Sequence, residues 1–293
     1  MQNNDTYSKK AYGKINLYLD VLDKRKDGYH NIRSVMQTVS LCDTVTLTLK
    51  DSVETDIEVS CTDTSIKCDK TNLVYKAAAL FLENASAEAK KYRFHIEKNI
   101  PVSAGMAGGS ADAAAALLLL NEAYGFPFTE DELCKIGSKI GADVPFCIKG
   151  GTCICEGIGE RLTSLPTLSG VSIISAIDSS SVSTPSAFSL LDEKYGIDCT
   201  DSSDIGKMTD AIVNKDLSGV CSALYNKFES IIINEHPGVT KIKNILISCG
   251  ARGALMSGSG PSVFGIFDDE ASVKNALDTL ITSNIRANFC KTI

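Results

Sequence analysis

Polar and apolar positions alternate in places along residues 12–21, and the Ile, Val, Leu and Tyr content there predicts a strand. An Asp27-Gly28 turn follows, then an extended segment over 31–39. Residues 44–49 alternate Thr with Val and Leu, the pattern of a half-buried strand, and 57–60 reads as another short one. Asn72 stands as the N-cap of a helix over 73–87. Residues 92–97 are again extended and lead into a glycine-bearing loop, after which 110–124 reads as a helix. Thr129 caps a further helix whose first turn holds Glu130, Asp131 and Glu132, as the helix dipole prefers, and Gly141 ends it. Residues 152–156 read as a strand, with Gly157-Ile158-Gly159 as its turn.

Beyond Pro166 the pattern restarts. A β-rich strand over 171–177 precedes a serine-rich loop at 179–183 and a Thr184-Pro185 pair placed as N-cap and first helical residue. Helical patterns run on to Gly250, broken by polar loops near 200–203 and 234–238. Short strands at 254–257 and 262–267 flank Gly258-Ser259-Gly260, followed by a helix at 271–281 and a strand at 285–291. The order predicts an α+β protein of two parts, 1–166 and 167–293, the second an antiparallel sheet covered on one face.

Composition narrows the class. A chain of 293 residues with 44% hydrophobic and 22% charged content can build full cores. A net charge of −7 without any Lys/Arg-rich run disfavours nucleic acid. The longest apolar run, 113–120, is too short to span a bilayer, and the polar first five residues give no secretory signal. Eleven scattered cysteines without a Cys-x-x-Cys pair, and only three histidines, argue against a disulfide framework or a zinc site. Cys153 and Cys155 read as small buried hydrophobes on one strand face, in a reduced cytoplasm.

The chemistry concentrates at residues 101–112. Gly105, Gly108 and Gly109 let backbone approach a ligand, and the helix that follows opens its first-turn N–H groups and positive dipole end toward the loop. That arrangement suits phosphate. No Gly-Lys-Ser/Thr closes the motif, the spacing is not G-x-G-x-x-G, and no His-Arg-Asp or Asp-Phe-Gly set exists, which removes the familiar nucleotide loops. Locally, a turn that merely starts a buried helix remains the competing reading.

Phosphoryl transfer also needs a cation and a group for the acceptor's proton. Lys14 and Asn16 share one face of the first strand, although a strand lysine also reads as a solvated face. Asp143 stands between Gly141 and Pro145, with proline disfavouring helix at Val144; it reads as a rigidly held base or as an Asx-turn or capping residue. Gly258-Ser259-Gly260 is either a plain hairpin connection or a second loop packed on the first. Tyr29 and His30 are ordinary turn residues or a stacking and hydrogen-bonding pair for a base.

Jointly, Pro101-x-x-x-Gly105-x-x-Gly108-Gly109-Ser110, Lys14-x-Asn16 and Gly258-Ser259-Gly260 resemble the GHMP kinases, which include galactokinase, homoserine kinase, mevalonate kinase and phosphomevalonate kinase. Three further segments, at 11–17, 27–30 and 141–146, are similar to one branch whose substrate carries a cytidyl group and which serves the non-mevalonate route to isoprenoid precursors. The resemblance spans about residues 9–268. It implies a two-lobed GHMP kinase fold: an N-terminal α+β ATP-binding lobe over 1–166, a C-terminal ferredoxin-like α/β sandwich over 167–293, and an active site in the cleft. It implies ATP as donor and the 2-hydroxyl of a small cytidyl substrate as acceptor; Mg²⁺ is expected on the phosphates with few protein ligands, Ser110 being a candidate for one hydroxyl near the metal. It implies no nucleic-acid or membrane partner, a monomer or weak homodimer, and a cytoplasmic location.

Residue roles follow from the same resemblance. Asp143 matches the base and Lys14 its charged partner. Pro101, Ser103, Ala104, Gly105, Met106, Ala107, Gly108, Gly109 and Ser110 match the ATP phosphate loop, with Asn72 and Lys98 near the nucleoside. Tyr29 and His30 match residues holding cytosine, and Asn16, Thr184, Gly258, Ser259 and Gly260 the rest of the substrate site.

Overall fold

The computed structural model describes residues 5–177, 182–196 and 204–293, so most of the serine-rich loop and the polar break near 200 lie outside the described residues. Packing divides the chain into two compact units of alternating segments: Met1–Gly13, Cys42–Val102 and Ala107–Lys149 in one, and Lys14–Leu41, Ser103–Met106 and Gly150–Ile293 in the other. Two long strands, β1 (Asp5–Lys24) and β2 (His30–Asp51), contribute one part to each.

The first unit adds β3 (Asp56–Cys61), α1 (Leu73–Ala85), β4 (Lys90–Glu97), α2 (Gly108–Ala123), α3 (Glu130–Ser138) and α4 (Val144–Lys149). β4 runs antiparallel to β2 from Thr44↔Glu97 to Asp51↔Lys90 and parallel to β3. Alternation puts Val45, Leu47, Leu49, Tyr92, Phe94 and Ile96 inward, all buried. α1 and α2 pack on each other, and α2 is buried nearly all round, with Ala113–Ala116 small enough for close approach on every side. Asn72 and Thr129 cap as their sequence context predicts. Asn72 Oδ1 accepts from the Val74 amide at 2.9 Å, and Thr129 forms a reciprocal capping box with Glu132.

The second unit adds β5 (Thr152–Gly157), β6 (Arg161–Leu165), β7 (Ser172–Ile177), α5 (Thr184–Tyr195), α6 (Ile205–Val213), α7 (Leu217–Ser222), β8 (Tyr225–Asn226), α8 (Glu229–Glu235), α9 (Pro237–Ser248), β9 (Gly253–Met256), β10 (Val263–Phe267), α10 (Glu270–Thr282) and β11 (Arg286–Lys291). Its four-stranded sheet has the order β11-β7-β10-β9 and is antiparallel throughout. In chain order β9 and β10 are joined directly, while the β7–β9 and β10–β11 connections carry helices, which is the ferredoxin-like α/β sandwich. Ile174, Leu246, Met256, Val263, Phe267 and Leu280 lie in its core, with α9 and α10 packed against the sheet.

Some local expectations change. The extended segments at 31–39 and 44–49 are one strand, because β2 pairs with β5 over Ile32–Gln37 and with β4 over Thr44–Asp51. Proline does not bar helix at Val144: Pro145 falls in the first turn of α4, where no intrahelical donor is needed, and Asp143 O accepts from the Cys147 amide at 3.0 Å. Ser183, not Thr184, caps α5; its side chain accepts from the Ser186 amide, and Pro185 sits one place deeper. β6 and β8 carry too little alternation to be seen in advance.

Candidate active site

In the first unit, α2 starts at Gly108, two residues ahead of the helix the sequence predicts, so Gly108 and Gly109 lie in its first turn. Ala107 occupies the N-cap in a left-handed conformation (φ 57°) with no side-chain cap, and the first helical bond is Ala111 N–H to Ala107 O at 2.9 Å. The amides of Gly108, Gly109 and Ser110 therefore precede the helical ladder. The turn that carries Asp143 comes close: a Cβ on Gly141 would lie 3.8 Å from Ser110 Oγ. Asp143 itself is half-buried.

Beneath that helix start lies a buried ionic triad. Lys98 Nζ donates to Asp43 Oδ2 at 2.5 Å and to Asp112 Oδ2 at 2.6 Å. Asp43 Oδ1 also accepts the amides of Asn99 and Ile100, which fixes the chain just before Pro101. A Cβ on Gly108 would come within 2.9 Å of Lys98 Nζ and 3.1 Å of Ile100 Cγ2, so a larger residue there would have to displace the ammonium from its two carboxylates. Burial pushes the Asp112 carboxyl up to about 7, against the pull of Lys98. Burial also works against the charge on Lys98, but the two carboxylates outweigh it and hold its pKa above the usual value. Lys98 thus has its ammonium committed to the protein, and Asn72 has both amide ends bonded within it: Oδ1 accepts from the Val74 amide to cap α1, and Nδ2 donates to Lys67 O in the segment before the helix.

In the second unit the two glycine loops meet. A Cβ on Gly105 would sit 2.1 Å from the Ser257 carbonyl oxygen, and one on Gly258 would be 3.0 Å from Gly105 O. Ser257 Oγ donates to Gly105 O at 3.1 Å, Lys14 N–H donates to Met106 O at 3.1 Å, and buried Met106 accepts from Ser175 Oγ. Asn226 Nδ2 donates to both Met256 O and Gly258 O and so holds the second loop. Ser259 Oγ meets Thr184 Oγ1 at 2.9 Å. Residues 258–260 are both the hairpin connection between β9 and β10 and a loop packed on Gly105.

Lys14 and Asn16 are both buried, and Lys14 Nζ donates to Asn16 Oδ1 at 2.7 Å. Tyr29 is 60% exposed, whereas His30 is 6% exposed. His30 Nε2 pairs with Asp192 Oδ1 at 2.7 Å, and its ring stacks on Phe188 at 4.6 Å between centroids. Asp192 also accepts from Lys24 at 2.6 Å; burial raises its pKa, and the Lys24 and His30 bonds outweigh that and lower it. Phe188, Asp192, Asp43 and Asp112 escaped the sequence reading. Asp112, inside an alanine-leucine helix, was the one visible signal.

Among the described residues there is no group of three His, Cys, Asp or Glu side chains able to hold a metal ion, and no helix is long and apolar enough to cross a membrane.

Residues 72–151 match the GHMP kinases N-terminal domain and residues 208–286 the GHMP kinases C-terminal model. A 4-diphosphocytidyl-2-C-methyl-D-erythritol kinase from Clostridium novyi is 44% identical over 89% of this chain and 90% of its own. The crystal structure of a 4-(cytidine 5'-diphospho)-2C-methyl-D-erythritol kinase aligns with TM-score 0.79 at 28% identity, covering 98% of this chain and 99% of that one. A homoserine kinase from Cytophaga hutchinsonii aligns with TM-score 0.73 at 18% identity, covering 96% and 94%, and so shares the fold. Lys14, Asp143 and the paired glycine loops thus sit in a chain that belongs to the GHMP kinases, in the 4-diphosphocytidyl-2-C-methyl-D-erythritol kinase family.

Proposed function

We propose that this chain transfers the γ-phosphoryl group of ATP to the 2-hydroxyl of 4-diphosphocytidyl-2-C-methyl-D-erythritol, giving the 2-phosphate and ADP in isoprenoid precursor synthesis. The observation that carries the phosphate side is the uncapped start of α2, with the amides of residues 108–110 ahead of the helical ladder. Within the second unit, the glycine loop 103–106 is held as rigid backbone by Ser257 and by the Lys14 amide.

Asp143 is our proton acceptor for the 2-hydroxyl, and Lys14 the cation that steadies the developing alkoxide. A carboxylate is a far weaker base than an alkoxide, so positioning and electrostatics supply most of the acceleration. Mg²⁺, when bound, neutralises phosphate charge. Without a three-group carboxylate cluster among the described residues, the phosphates themselves would hold most of it and Ser110 Oγ would add a ligand. Tyr29 and His30 hold the cytosine, with Asp192 and Phe188 orienting the imidazole. We assign Asn72 and Lys98 to the nucleoside side of ATP as supports of the backbone there, since their polar ends are bonded within the protein, and Thr184 and Ser259 to the acceptor. We read the enzyme as cytoplasmic, as a monomer or weak homodimer without nucleic-acid partners, and as divided functionally at about residue 166.

The test is a substrate panel with ATP and Mg²⁺, read as ADP release. The cytidyl substrate should turn over, while homoserine and mevalonate, which have no base for Tyr29 and His30, should not. Turnover of either of those with none of the cytidyl compound overturns the assignment. No turnover of any acceptor would leave a nucleotide-binding regulator on the same scaffold.

A further inference from the structure

Lys14 Nζ ends a directional chain of hydrogen bonds that no catalytic role assigned above uses. Lys14, Asn16 and Ser34 are 4%, 1% and 0% exposed. Lys14 Nζ donates to Asn16 Oδ1 at 2.7 Å, and Asn16 Nδ2 donates to Ser34 Oγ at 2.9 Å. Ser34, from β2, donates in turn to the Tyr18 carbonyl oxygen at 2.6 Å. A serine hydroxyl has one proton. With that proton given to a strand carbonyl, Ser34 Oγ can only accept from Asn16. The amide is therefore held with its oxygen toward the ammonium. Turned over, it would set N–H donors against N–H donors in a buried place, where such a mismatch is costly.

We propose that Ser34 is a positioning residue for the reaction: through Asn16 it fixes the place and hydrogen-bond direction of the Lys14 ammonium. Asn16 then works first as the holder of Lys14, and any contact with substrate is secondary. The proposal rests on the role of Lys14 given above. A lysine side chain has several rotatable bonds, and a cation that stabilises a developing charge works only if its location is set beforehand. Neither Ser34 nor its spacing from Asn16 marks it as functional in the sequence. β1 and β2 bring the two together.

The experiment compares Ser34→Ala, Ser34→Thr and Lys14→Met by steady-state kinetics for both substrates and by thermal melting. Ser34→Ala should lower kcat about tenfold, the scale of one hydrogen bond to a charged group's holder, with KM for ATP within about twofold and melting within a few degrees. Ser34→Thr, which keeps the hydroxyl, should recover most of kcat. A wild-type kcat for Ser34→Ala overturns the proposal, as does a loss that Ser34→Thr fails to repair. If Ser34→Ala does not fold, Ser34→Cys keeps the volume with a weaker acceptor. It should fall between the wild-type and Lys14→Met enzymes, and unchanged turnover overturns the relay. Full turnover of Lys14→Met would strike the role of Lys14 itself, a separate failure.

Discussion

Gly105→Ala probes the contact between the glycine loops. Gly105 has φ 68°, in the left-handed region, where alanine costs about 1 kcal/mol. Its added Cβ would stand 2.1 Å from the Ser257 carbonyl oxygen and 3.0 Å from the carbonyl carbon. Both are backbone atoms, so no side chain can swing away. The loops must part by roughly 1 Å, and overpacking of that kind costs a further ~1–3 kcal/mol. Separation would also stretch the 3.1 Å bond from Ser257 Oγ to Gly105 O. The expected loss is therefore roughly 2–4 kcal/mol, together with a rise of about tenfold in KM for ATP. Gly28→Ala is the control. Gly28 has φ 89° but nothing within 4 Å of the added Cβ, so it should lose only about 1 kcal/mol and leave KM for ATP alone. Urea unfolding at constant m, paired with steady-state kinetics, measures both. Equal destabilisation by the two substitutions, or an unchanged KM for ATP in Gly105→Ala, would refute the idea that the close approach matters beyond the turn itself.

Asp143→Ala should lose about 10²–10⁴ in turnover while keeping ATP affinity within a few-fold, checked by ADP release and nucleotide titration; substantial residual turnover would remove Asp143 as the base. Tyr29→Ala, at a 60% exposed position, should raise KM for the cytidyl substrate far more than KM for ATP, and equal effects would make Tyr29 structural. Asp192→Asn should likewise raise the cytidyl KM by loosening His30, with calorimetry of substrate binding as the check. Folded Asp112 keeps its proton up to about pH 7, whereas an unfolded aspartate ionises near 3.8, so between those values the folded state binds more protons. Its contribution to stability is present below the lower value and is lost as pH rises to about 7. Asp112→Asn, which can still accept from Lys98, should flatten that part of the stability–pH curve, and an unchanged slope would show that the burial effect is overstated.

Local chemistry was legible at several places where neighbours in sequence decide the outcome, though the cap of α5 fell on Ser183 and not Thr184. Asn72 and Thr129 cap because a side-chain oxygen reaches an amide two or three residues on. The start of α2 was readable because glycines meet helix formers there. The residues around Asp143 misled, since a proline near the start of a helix and one inside it look alike until the first turn is located.

The sequence by itself determined the α+β order, the glycine loop that opens α2 and the family resemblance, because periodicity, capping and motif spacing act over a few residues. Only the tertiary structure decided that Lys98 is locked between Asp43 and Asp112, that Gly105 lies on Ser257, and that Ser34 orients Asn16 beneath Lys14. Those pairings join positions far apart along the chain. Strand register and helix packing bring them together, and burial then makes each hydrogen bond and charge expensive to leave unmatched.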